Sequence, residues 1–191
     1  MFVKSFYLEA ENWARGKQWL WRAVLLLFFV YAFIRHLKDP MYESILGPLN
    51  LGIHEFGHLI FMPFGEFMHM IGGTVFQVFV PLFAVFNFYR LDDYFSIALS
   101  FGWLSTNFFN IARYASDARR MELSLVTPFG AEPVHDWNYI LVKLRLLHWD
   151  LRIGGFFKLL AIVSMLICFL FGLWLILKMI KNRPLEVKIK N

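Results

Sequence analysis

The chain of 191 residues is 59% hydrophobic and only 17% charged, and 23 of its positions are phenylalanine. Soluble domains carry about a quarter charged residues, so this composition excludes a water-exposed globule and requires most of the surface to face lipid. The net charge of +5 sits in short segments flanking apolar runs, where it suits anionic headgroups and offers no basic face to nucleic acid.

In chain order, residues 1–18 mix aromatic and charged side chains and read as an amphipathic segment lying on the membrane. Residues 19–112 read as four membrane helices. The first centres on Ala23–Ile34, with Trp19, Trp21, Arg22, Arg35 and Lys38 at its interfaces. The second, 45–64, is apolar except for Asn50, His54, Glu55 and His58, and Pro63 ends or kinks it. The uncharged runs Met70–Tyr89 and Tyr94–Ala112 follow, joined by the short polar turn Arg90–Asp93 as an antiparallel hairpin. Residues 113–153 form a polar loop through Pro128, Gly130 and Pro133, then an interfacial helix over Asn138–Trp149. A last transmembrane helix spans 154–178 after Gly154-Gly155, and 179–191 is a basic tail. The expected fold is all-α: a single polytopic membrane bundle of about five transmembrane or re-entrant helices plus interfacial ones. Five full crossings would put the two basic ends on opposite sides, so either one segment is re-entrant or the charge bias fails at one end.

Three ionisable groups in one membrane-depth helix mark a functional site by default. His54 and His58 stand four apart, so both imidazoles project from one helical face and can reach one tetrahedral metal, with zinc the expected ion. Glu55 lies where a carboxylate can take a proton from an activated water. The plainer alternative is two helix histidines paired with a glutamate in a packed core. A third ligand is needed, and His135 in the loop is favoured. Asp136 is either a further ligand, an acceptor that orients an imidazole, or the cap of the helix that begins near Trp137. Asp117 is the rival ligand. With Asn107, Asn110 and Tyr114 it forms a polar stripe that could position substrate or simply join helices. His69, Gly72 and Gly73 follow the motif helix closely, and the glycines permit close backbone approach. Cys168, the single cysteine, excludes a thiolate site.

The segment His54-Glu55-Phe56-Gly57-His58 resembles the zinc motif of the site-2 protease family of intramembrane metalloproteases. That resemblance implies zinc on His54 and His58, Glu55 as catalytic base, and an aspartate as third ligand. The family's aspartate lies in an Asp-Gly type motif, and this chain contains no Asp-Gly. His-Glu-x-Gly-His together with Asn107–Ala118 and His135-Asp136-Trp137-Asn138 also resembles a group of small bacterial membrane proteins, which implies a bacterial inner-membrane location and a ligand from His135 or Asp136.

The expected function is thus a membrane-embedded zinc hydrolase acting on a peptide or membrane-protein substrate, with the bilayer and other membrane subunits as partners. The alternative is a non-catalytic metal-binding subunit or scaffold of a membrane complex. A di-iron desaturase is the weakest fit, because its sites use about eight histidines and this chain has 6.

Overall fold

A computed structural model describes residues 2–124 and 134–182. The Pro128–Pro133 part of the expected loop, and most of the expected basic tail, lie outside the described residues. Seven α-helices are present, and no strand occurs among the described residues: α1 (Phe2–Ala14), α2 (Leu20–Lys38), α3 (Gly47–Phe61), α4 (Glu66–Arg90), α5 (Tyr94–Ser116), α6 (Asp136–Lys143) and α7 (Asp150–Lys181).

Helix α5 is the axis of the fold, and most of its residues are buried. Antiparallel α7 packs along it: Gly154 meets Ala112 and Ser116, the Ser105 hydroxyl donates to the Ala161 carbonyl at 2.7 Å, and Gly172 lies at Ala98. Glycine suits this position because a Cβ would lie 2.8 Å from the Ala112 carbonyl oxygen, a backbone atom that cannot rotate aside, as well as against Ser116. The Gly154-Gly155 pair, expected to precede the last helix, lies within it, and α7 begins at Asp150. The preceding helix is correspondingly shorter than Asn138–Trp149: α6 ends at Lys143, and a 3-10 turn at Leu147–Trp149 leads into α7.

Helix α2 runs parallel to α5, with Phe29 against Gly102 and His36 stacked on Phe109 at 4.7 Å. His36 is therefore buried within the bundle. At the opposite end of the bundle α1 is tied down by Glu9, which accepts from the Tyr94 hydroxyl at 3.1 Å, and by Glu11, which pairs with Lys178 at 2.8 Å.

Polarity is inverted relative to a soluble protein. Asn50, Gln77, Thr106 and Asn107 are buried, whereas Leu27, Phe83, Leu159 and Leu170 are exposed. Three helices are long and apolar enough to cross a membrane: α2, α4 and the segment Leu147–Lys181 that contains α7. This arrangement is compatible with lipid as the outer solvent. Helix α5 has the length, but its serines, threonine and asparagines lower its hydropathy, and its neighbours cover them.

Helix α3 differs from the rest. At 15 residues it extends about 22 Å, less than the roughly 30 Å of a bilayer core. Just before it, Glu43 pairs with Arg113 near the C-terminal end of α5 at 2.8 Å. Asn50 then lies deeper, accepting from the Trp103 indole at 2.7 Å and donating to Thr106 at 3.3 Å. From there α3 returns towards the same end, where His54 reaches the level of Tyr114 and His58 that of His69. Pro48 starts the helix in its first turn, and Pro63 in the 3-10 turn Met62–Phe64 ends it.

Candidate metal centre

Helices α3 and α4 pack antiparallel through glycine. A Cβ on Gly57 would lie 2.5 Å from the Gly72 carbonyl oxygen, and one on Gly72 would lie 2.8 Å from that of Gly57. Only glycine at both positions permits the approach. It brings the histidine face of α3 onto the first turns of α4. The His58 Nδ1–H donates to the His69 carbonyl at 2.7 Å, and the His69 Nδ1–H donates back to the His58 carbonyl at 2.9 Å. One turn deeper, His54 Nδ1 meets the Gln77 amide oxygen at 3.2 Å.

These contacts settle the tautomers. With the proton on Nδ1, each imidazole presents an Nε2 lone pair. The two Nε2 atoms lie 3.1 Å apart, and Asp136 Oδ2 stands 3.0 Å from that of His54 and 3.2 Å from that of His58. All three side chains are buried. Two lone pairs and a carboxylate converging away from water repel one another unless a cation joins them. A shared proton satisfies one pair, whereas a metal ion satisfies all three. Ligand atoms around tetrahedral zinc lie about 3.3 Å apart, so the cluster needs to open only slightly. His54, His58 and Asp136 are thus positioned to bind a metal ion.

His135 is not part of this group. It is the N-cap of α6, where its Nδ1 accepts from the Asn138 amide at 3.2 Å, and its Nε2–H faces Asp117 at 3.4 Å. The physical reason is a division of labour between neighbours. Because His135 caps the helix, Asp136 need not, and its carboxylate turns to α3. The Asp136 amide donates to the Tyr114 hydroxyl at 3.0 Å, and the Tyr114 ring lies between the rings of His135 at 4.4 Å and His54 at 6.2 Å. Burial alone pushes the His135 imidazole below its ordinary value, despite the opposing pull of Asp117.

Asp117 also stands apart from the cluster. As the C-cap of α5 it accepts from the amides of Glu122 at 3.2 Å and Leu123 at 3.0 Å. Asn107, expected to position substrate, is fully buried and donates to the Trp103 carbonyl of its own helix at 3.0 Å, while Asn110 is half-buried. Glu55 is half-buried beside His54 and makes no hydrogen bond or ion pair among the described residues. It lies close enough to act electrostatically on His58 and Tyr114.

Gln77 and Tyr114 were not singled out by the motif, yet both orient its ligands. Each had a signal. Gln77 is an amide in an uncharged run, two successive four-residue steps after His69 by way of Gly73, and so on the same side of α4. Tyr114 belongs to the polar stripe of α5. Gly73 was a candidate for close approach, and a Cβ there would lie 2.7 Å from the Nε2 atoms of both His54 and His58.

Burial opposes ionisation of Asp136, but in the metal-free site a proton shared between its carboxylate and the Nε2 atoms of the His54–His58 pair outweighs burial and holds the carboxyl at about 2. A depressed carboxyl contributes above its unfolded value near 3.9 and loses that contribution only as pH falls through the folded one. Between neutrality and about pH 3 it therefore remains an anionic ligand. Acid release of the metal should accordingly follow the two histidines alone. The logarithm of metal affinity, measured by competition with a chelator, should fall by no more than about two per pH unit; a slope approaching three would show that Asp136 titrates as well.

No protein-family model, curated protein or solved structure matches this chain, so the geometry of the site carries the functional reading.

Proposed function

We propose that the protein is a polytopic integral membrane protein that holds zinc on His54, His58 and Asp136 and acts as a hydrolase, with peptide bonds at or within the bilayer as its substrate class. The observation that carries this reading is the convergence of two Nε2 lone pairs and one carboxylate oxygen within 3.0–3.2 Å of one another. Both imidazoles are fixed from behind by α4. Three protein ligands leave a fourth position open, as catalytic zinc sites do and closed structural sites do not.

Zinc, when bound, supplies the Lewis acidity that activates water near neutral pH and polarises a scissile carbonyl. The chain supplies the rest. Asp136 and the two imidazoles fix the ion. Gln77 and the His69 carbonyl hold the imidazoles in the ligating tautomer, as outer partners of metal-bound histidines do. Glu55, with no partner among the described residues, would take a proton from the attacking water and return it to the leaving amine. The α3–α4 packing limits water at the cluster, and a substrate strand enters from the end of the bundle where α3 ends.

The second reading is a structural metal in a scaffold or complex subunit. It is favoured by the way the three ligands tie α6 to α3, which a staple would also do. Glu55 separates the two. Glu55→Gln should retain stoichiometric metal and lose roughly 10²–10⁴-fold in the rate of hydrolysis of a membrane-inserted peptide. Unchanged hydrolysis, or none in the wild type across a panel of such peptides, would favour the structural role.

A further inference from the structure

A second feature lies at the same end of the bundle but on the far side of α5 from Tyr114. A cavity of about 640 Å³ opens between the C-terminal ends of α2 and α5 and the start of α7. This size is typical of ligand pockets, which span about 300–1,000 Å³. Its floor is apolar, built from Phe109, Ala112, Leu151 and Gly154, and its polar lining combines Arg113, Ser116, Arg120 and Lys158 with the carboxylates Asp117 and Glu122.

The charges in this lining are unequally compensated. Arg113 is neutralised by Glu43 at 2.8 Å, and both Asp117 oxygens accept amide hydrogens. Arg120 meets Glu122 only at 4.0 Å, with both side chains mostly exposed, a geometry worth little. Lys158 has no ion-pair partner among the described residues. It stands eight residues inside α7, about 12 Å from the helix start, between the exposed Phe156 and Leu159. An ammonium on a lipid-facing helix is costly unless its stem carries it to an anionic group at the headgroup level. His36, a further wall residue, is 7% exposed and has a buried Nε2 with no partner among the described residues. Native polar atoms are rarely left in this state without a missing ligand or water.

We infer that this cavity binds the phosphate headgroup of an anionic phospholipid, with Arg120 and Lys158 as its charge partners and the apolar floor taking the glycerol and first methylenes. Basic pockets at helix ends recognise such headgroups by the same chemistry. The site is independent of the metal centre.

The test uses the full-length protein, delipidated in detergent. Native mass spectrometry and thermal melting are followed during titration with phosphatidylglycerol, phosphatidylcholine or inorganic phosphate. One phosphatidylglycerol should bind and raise the melting temperature. Arg120→Gln with Lys158→Gln should weaken that binding roughly 30-fold and leave metal content unchanged. The exchange Arg120→Lys with Lys158→Arg, which keeps both charges, should retain it. Equal binding of phosphatidylcholine, equal stabilisation by inorganic phosphate, or full retention by the double glutamine variant would each overturn the assignment. Loss in the charge-preserving variant would overturn the charge-partner role.

Discussion

Asp136→Asn is expected to empty the metal centre while His135→Ala leaves it filled. Structural zinc in four-ligand sites is bound by about 10–16 kcal/mol, so one ligand is worth about 2.5–4 kcal/mol, or roughly 10²–10³-fold in affinity. Asp136→Asn replaces the anionic oxygen at 3.0 Å from His54 with a neutral amide and should weaken binding by at least that factor. His135→Ala removes a helix cap, for about 1 kcal/mol of stability, and a partner of Asp117, but no ligand atom. Metal content of the purified variants decides the matter. The reverse outcome, metal lost with His135 and kept without the Asp136 charge, would show that α6 docks in another register.

The second large effect is expected at Gly73. Alanine stabilises an isolated helix by about 1 kcal/mol over glycine, so Gly73→Ala should favour α4 by itself. Its Cβ, however, would lie 2.7 Å from both ligating nitrogens, and the imidazoles would have to part. The variant should therefore keep its helical circular dichroism and still lose metal affinity by more than about 10²-fold. Gly72→Ala makes the contrast. Its Cβ would meet Phe61 and the Gly57 carbonyl, which loosens the helix pair without touching a ligand nitrogen. It should lower the melting temperature more than Gly73→Ala does. If Gly73→Ala binds metal normally, α4 does not approach α3 as closely as described.

Much of this architecture is legible in the sequence, for identifiable reasons. The runs around Ala23–Ile34, 70–89 and 159–177 announce helices because lipid-facing segments need apolar residues on every side. His54 and His58 announce one face because helical spacing leaves no other arrangement. The third ligand was harder. His135 and Asp136 are adjacent, and which of them turns inward depends on which caps α6, a choice made by the contacts to Tyr114, Asn138 and Asp117. Those contacts are tertiary, and no local pattern encodes them. The extent of α7 was obscured for a similar reason. Gly154-Gly155 looks like a break when read locally, but the helix continues because α5 needs the space that a side chain would fill.

The descent after Glu43 and the return of the chain as α3 to the same end have a consequence for how the protein is made. A segment too short to cross, carrying two imidazoles and a carboxylate, has little reason to partition into lipid as it leaves a translocon. It can settle only once α4 offers Gly72 and Gln77, and α5 offers Trp103 and Thr106, all of which are synthesised later. The metal-bearing helix is then among the last parts to be placed. The proposed polytopic reading takes α5 as a crossing beside the three apolar helices α2, α4 and α7; on that reading the number is even, and reporter domains fused ahead of α1 and behind α7 should be found in the same compartment.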